Sequence, residues 1–105
     1  MKIKQFQAEV DKWTGQFDPQ YWPPHQILTR LMEEVGELAR EVNHRFGSKK
    51  KKAGEEDRQL GDEMADIIFT LACLANSQGI DLSDHMQRII DKCYKRDNDR
   101  YEKKE

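Results

Sequence analysis

Ile27, Leu31, Val35, Leu38, Val42 and Phe46 recur every three or four residues. That period places them on one face of a helix, which the pattern predicts from about Pro24 to Phe46. Pro24 suits the first helical turn, where a missing N–H leaves no bond unmade. Gly47 is the expected stop. Upstream, Ile3, Phe6, Val10 and Trp13 predict a shorter helix from about residue 3 to 13. The chain's three prolines, Pro19, Pro23 and Pro24, fall together, so GQFDPQYWPP is read as a loop. GSKKKKAGEED interrupts the pattern a second time. A third helix is expected from near Glu55 to about Gln78, with Gly79 ending it. Beyond Asp66 it is apolar nearly all round, which predicts a central position. DLSD restarts the chain with Ser83 as the expected N-cap. Met86, Ile89, Ile90, Cys93 and Tyr94 then carry a fourth helix towards Asp97. Strand-type alternation is absent. Four helices with short connections predict an all-α, four-helix bundle-like architecture. No internal repeat is visible, and the tail RYEKKE is expected to fray.

The length, 105 residues, fits one domain over residues 1–105. A chain this short buries only about two-thirds of its unfolded surface. The apolar stripes on four short helices exceed what one small bundle covers, so a homodimer or a dimer of dimers is expected. Apolar and charged residues each make up 36% of the chain, which suits helices with broad solvated faces. No apolar run reaches the roughly 18 to 20 residues of a membrane span. The segment MKIKQFQAEVDKW has no apolar signal-peptide core, and the expected location is the cytoplasm. A net charge of −2 argues against general nucleic-acid binding. Cys73 and Cys93 form no CxxC pair and are read as reduced, with Cys73 in the core.

Acidic residues border the apolar stripes of the second and third helices. At about 100° per residue, Glu34 and Glu37 emerge on one flank of the second helix. Glu41 lies between them one turn later, and Glu33 points further from the core. Glu63 and Asp66 repeat the i, i+3 arrangement on the third helix, beside Leu60, Ile67 and Leu74. If the two helices pack together, the four carboxylates face one another. Burying them uncompensated costs several kcal/mol each. A hard divalent cation would resolve the conflict, since Mg²⁺ takes oxygen ligands and works alongside phosphates. The plainer alternative is that the acids are solvated flank residues paired with lysines or arginines. A di-iron reading needs two Glu-x-x-His motifs. Glu41 and His44 supply one, and no second exists. Oxygen-only ligation by Glu34, Glu37, Glu63 and Asp66 favours Mg²⁺ or Mn²⁺.

EEVGELA (33–39) followed by EMADIIF (63–69) resembles the EExxE…ExxD signature of the MazG-like all-α nucleoside triphosphate pyrophosphohydrolases. The likeness extends through QAEVDKW, LANSQGIDL and KCYKRDNDRY, and LAREVNHRFG is similar to the short single-domain branch. The resemblance implies that Glu34, Glu37, Glu63 and Asp66 bind the metal, the same four that the helical geometry selects. It leaves Glu33 to position water or support a ligand. It implies cleavage between the α and β phosphates of a (d)NTP, giving a monophosphate and pyrophosphate, in a house-cleaning role against non-standard or surplus nucleotides. Such chemistry needs positioning and charge stabilisation, and no Ser or Cys nucleophile.

The triphosphate also needs protein cations. Lys92 and Arg96, i, i+4 on the fourth helix, are the candidates, with Arg100 behind them, acting within the subunit or across an interface. The Lys49–Lys52 run is read as a solvated loop that could attract anions. Trp22, and less so Trp13, is a candidate base contact within a cluster that includes Phe17 and Tyr21. Asn76 is a candidate pocket residue, because a buried amide needs partners. His44 is read as structural or surface. Two other functions fit the residues: a non-catalytic helical interaction module with structural acids, and a hydrolase of another pyrophosphate-containing metabolite such as a phosphoribosyl-ATP-like intermediate.

Overall fold

The computed structural model describes residues 1–47 and 59–104. Helices α1 (Ile3–Thr14), α2 (Pro24–Phe46), α3 (Leu60–Ser77) and α4 (Leu82–Arg96) follow in order, with no strand among the described residues. The proline cluster separates α1 from α2 where the sequence places it, with Pro24 at the first position of α2. Gly47 ends α2 in extended backbone and donates its N–H to the Asn43 carbonyl at 3.0 Å. Described structure resumes at Gln59, so the expected start at Glu55 and the Lys49–Lys52 run lie outside the described residues.

Two local devices set the α3–α4 junction. Gly79, at φ +67°, lets α3 close with a paired motif. Its N–H bonds the Asn76 carbonyl at 3.2 Å, and the Ile80 N–H bonds the Ala75 carbonyl at 2.8 Å. The cap of α4 is Asp81 rather than the expected Ser83. The helix starts at Leu82, so Ser83 is its second residue and donates its N–H to Asp81 Oδ1 at 3.0 Å. The Ser83 hydroxyl donates to the same oxygen. These hydrogen bonds hold the Asp81 carboxyl below its ordinary value.

Helices α2 and α3 form the main packed pair, α1 lies on α3, and α4 packs chiefly on α1. The arrangement is open: the radius of gyration is 17.4 Å, against about 13 Å for a compact chain of this length. No α4 residue is buried.

The buried seam carries a different set of residues from the apolar stripe. Ile27, Glu34 and Glu41 are the buried residues of α2, spaced by sevens on one line. Gln7 and Thr14 on α1, and Glu63 and Thr70 on α3, repeat that spacing. The expected core positions Val35 and Val42 are 40% and 38% exposed, whereas Glu34 is 3% exposed. Small residues, Ala72 and Ala75, bring α3 close to its neighbours, while Ile68 and Leu71 face outward. The acids therefore sit deeper than the stripe they were expected to flank.

Candidate active site

The carboxylates of Glu34 and Glu37, one turn apart on α2, meet Glu63 of α3. One oxygen from each lies within 4.8 Å of the others. Glu34 and Glu63 are buried and Glu37 is exposed. Asp66, one turn after Glu63, lines a cavity of about 570 Å³ together with Glu34 and Glu37. Aromatic rings line the same cavity: Trp13, Phe17, Tyr21 and Trp22 with Phe69. Trp13 makes edge contacts to Phe17 and Phe69, with ring centroids 5.0 and 6.1 Å apart. The cavity thus combines anionic groups with flat, polarisable faces.

Arg30 sits beside the acids. Its Nη2 donates to Glu34 Oε1 at 2.7 Å and its Nη1 to Glu33 Oε2 at 3.2 Å. Burial pushes the Glu34 carboxyl above its ordinary range; Arg30 opposes this, and Glu37, Asp66 and Glu63 reinforce it. Glu34 Oε2 is buried with no hydrogen-bond partner among the described residues. An unpartnered carboxylate oxygen among oxygen-only donors is the environment a hard divalent cation fits.

The loop carrying the aromatic wall is pinned by a polar network that joins distant parts of the chain. Asn76 Nδ2 donates to the Gln7 carbonyl at 2.9 Å and to Tyr21 Oη at 3.0 Å. Its Oδ1 accepts from Gln7 Nε2 at 3.0 Å. Tyr21 Oη in turn donates to Asp11 Oδ1 at 2.6 Å, and Gln20 Nε2 donates to Asp11 Oδ1 at 3.0 Å. Burial, then the Asp11 carboxylate, raises the Tyr21 phenol above its ordinary value.

The predicted site residues thus fall into three places. Glu34, Glu37, Asp66 and Trp22 line the cavity, and Glu63 joins its carboxylate cluster. Glu33 faces a shallower hollow with Trp22, Gln26, Thr29 and Arg30. Asn76, Lys92 and Arg96 are not among the cavity's lining residues, and Asn76 spends its amide on Gln7 and Tyr21. Arg30 was missed by sequence reasoning, although its i, i+4 spacing to Glu34 was visible.

Residues 23–101 match the family model of the MazG nucleotide pyrophosphohydrolase domain. The chain belongs to that family. As a MazG chain it is a hydrolase, a nucleotide pyrophosphohydrolase, which sets aside the non-catalytic module. It is 50% identical to YpjD of Bacillus subtilis (strain 168) over 103 residues, 98% of this chain and 93% of that protein. It is 34% identical to YvdC of the same organism over 99 residues, 85% of this chain and 93% of that protein. The crystal structure of the Bacillus-conserved MazG protein, a nucleotide pyrophosphohydrolase, superposes with a TM-score of 0.78 at 40% identity. That match covers 94% of this chain and 96% of the other. The crystal structure of YPJD from Bacillus subtilis also gives 0.78, at 49% identity, covering 88% and 94%. No helix among the described residues is long and apolar enough to cross a membrane.

Proposed function

We propose that this MazG enzyme cleaves (d)NTPs between the α and β phosphates, releasing (d)NMP and pyrophosphate, with Mg²⁺, or Mn²⁺ in its place, held by Glu34, Glu37, Glu63 and Asp66. One observation carries the reading: clustered oxygen-only acids and a group of aromatic rings line one cavity. A nucleotide has the matching groups, with phosphates at one end and a stacking base at the other. The bound cation would neutralise phosphate charge and lower the pKa of the attacking water.

The chain's own residues do the positioning. Trp22 and the neighbouring rings offer faces on which a base stacks, so the base is held by area more than by hydrogen bonds. Asn76, through Tyr21, keeps that wall in place. Glu33 orients Arg30 beside Glu34. Lys92 and Arg96 reach phosphates of a neighbouring subunit's site. Met86, Ile89, Ile90 and Tyr94 are all more than half exposed on α4, and Leu28, Met32 and Met64 leave further apolar surface on α2 and α3. An apolar area this extensive supports a homodimer or a dimer of dimers. The role is house-cleaning of non-standard or surplus nucleotides in the cytoplasm. Pyrophosphate release from a panel of (d)NTPs, with and without Mg²⁺, tests the activity. Sedimentation of Ile89→Lys against the intact protein tests the assembly, with a shift to monomer expected.

A further inference from the structure

Lys92 and Arg96 lie outside the cavity, yet its acids need positive charge both before and after a triphosphate enters. Arg30 is the cation that lines it among the described residues. We propose that Arg30 is a substrate-binding residue held in reserve: it neutralises Glu34 while the carboxylate cluster is without a cation, and turns to the substrate's phosphates when a divalent cation takes over Glu34. This rests on the nucleotide pyrophosphohydrolase reading above.

The geometry supports an exchange more than a permanent bridge. The Glu34 side chain is 4% exposed and that of Arg30 is 49% exposed, so the guanidinium covers a buried carboxylate from the solvent side. Glu34 shares its surroundings with Glu37 and Glu63, each offering an oxygen within 4.8 Å. Without a metal, the 2.7 Å contact to Arg30 compensates Glu34 within that crowding. A divalent cation on the same carboxylate supplies the charge itself and repels the guanidinium, which removes the reason for that contact.

Arg30 also has somewhere to go. It lines both the main cavity and the neighbouring hollow shared with Trp22, Gln26, Thr29 and Glu33. The second arm of its fork rests on Glu33 at 3.2 Å, at a carboxylate that is 58% exposed. Glu33 can therefore act as a pivot while the Glu34 arm is released. A planar guanidinium is suited to two parallel hydrogen bonds with phosphate oxygens. The released arm stays within the cavity that Glu34, Glu37 and Asp66 also line, where a triphosphate's charge would arrive.

The test uses full-length protein stripped of metal. Mn²⁺ alone is titrated calorimetrically into the intact protein, Arg30→Met and Arg30→Lys, and pyrophosphate release is measured on the same preparations. Exchange predicts opposite movements in Arg30→Met. Mn²⁺ binds tighter because its competitor for Glu34 is gone. Turnover of (d)NTP loses roughly tenfold or more in kcat/KM, the usual worth of a charged hydrogen bond. A permanent structural bridge predicts parallel movement, and unchanged or weaker Mn²⁺ binding in Arg30→Met overturns the proposal. So does a kcat/KM within about twofold of the intact protein, well below the loss of one such bond. If Arg30→Met does not fold, Arg30→Lys decides. Retained charge without the fork should leave Mn²⁺ affinity near that of the intact protein and lower kcat/KM by about fivefold or more, and full activity overturns the proposal. If the intact protein neither binds Mn²⁺ nor hydrolyses nucleotides, the parent reading fails and this one with it; intact activity with parallel losses in the variant defeats the Arg30 exchange alone.

Discussion

Replacing Glu34 by Gln should stabilise the metal-free protein. The substitution keeps the shape of a side chain that is 3% exposed and removes its charge. At an effective dielectric of about 20, two unit charges separated by the 4.8 Å limit of the cluster repel by roughly 3.5 kcal/mol. Glu34 has two such neighbours, Glu37 and Glu63. By the same measure its 2.7 Å contact to Arg30 returns about 6 kcal/mol. Repulsion and attraction therefore nearly cancel, and the cost of holding a carboxylate away from water stays uncompensated. Arg30 is half exposed and keeps Glu33 and solvent as partners, so little is lost on its side. A net gain of about 1 to 3 kcal/mol follows, in the range seen when buried charge is replaced by a neutral group of similar volume. The assay is urea unfolding in EDTA at one fixed protein concentration, repeated with saturating Mg²⁺. The intact protein should gain stability from the metal, and Glu34→Gln should gain little. A Glu34→Gln protein less stable than the parent in EDTA by about 1 kcal/mol or more, a typical cost for an ordinary lost bond, would mean that the Glu34 charge stabilises the metal-free fold.

Three further outcomes follow from the same structure. Burial, opposed by Arg30 and reinforced by Glu37, Asp66 and Glu63, holds the Glu34 carboxyl above 4.5 in the fold, so the folded state binds that proton more tightly than the unfolded one. Its contribution to metal-free stability is full below 4.5 and is lost as pH rises through the raised value; unfolding in EDTA across this window should show that slope, and Glu34→Gln should flatten it. Asn76→Ala removes the bonds to Gln7 and Tyr21 and should cost about 2 to 3 kcal/mol, because several part-buried hydrogen bonds are lost together while Gln7 keeps only those to Ile80 and Leu82. Hydrogen exchange should quicken in residues 15–23 of that variant, and its KM should rise. Gly79→Ala forces an L side chain into φ +67° with no atom within 4 Å of the new Cβ, so a loss of about 1 kcal/mol is expected from backbone strain alone and is read as a lower melting temperature.

The helices were legible because each depends on spacing within a few residues and on prolines and glycines at its ends. The acid pairs were legible for the same reason: i, i+3 carboxylates on consecutive helices are a local pattern. Their depth was not. A helical wheel ranks faces by hydrophobicity, and α2 has two candidates, the Val35–Val42 stripe and the Ile27–Glu34–Glu41 line. The structure turns the second towards α3 and leaves the first part exposed. Asn76 was recognised as an amide in need of partners, but those partners lie 69 and 55 positions away in sequence, beyond any local reading. Arg30 was overlooked because an i, i+4 Arg–Glu pair is ordinary on a solvated helix face; only the burial of Glu34 makes it notable. The cap falls two residues before Ser83 because the Asp81 carboxylate accepts from the Ser83 N–H and hydroxyl.

The central claim is that the carboxylate cluster at the aromatic-lined cavity performs metal-dependent pyrophosphohydrolysis. The most direct measurement is the product pattern from α-labelled dNTPs, incubated with Mg²⁺ or EDTA, for the intact protein and for Glu37→Gln and Asp66→Asn. The account predicts labelled monophosphate and equimolar pyrophosphate from the intact protein with Mg²⁺, none in EDTA, and near-complete loss in both folded variants. Labelled diphosphate with inorganic phosphate, undiminished activity in EDTA, or full activity in either variant would contradict it.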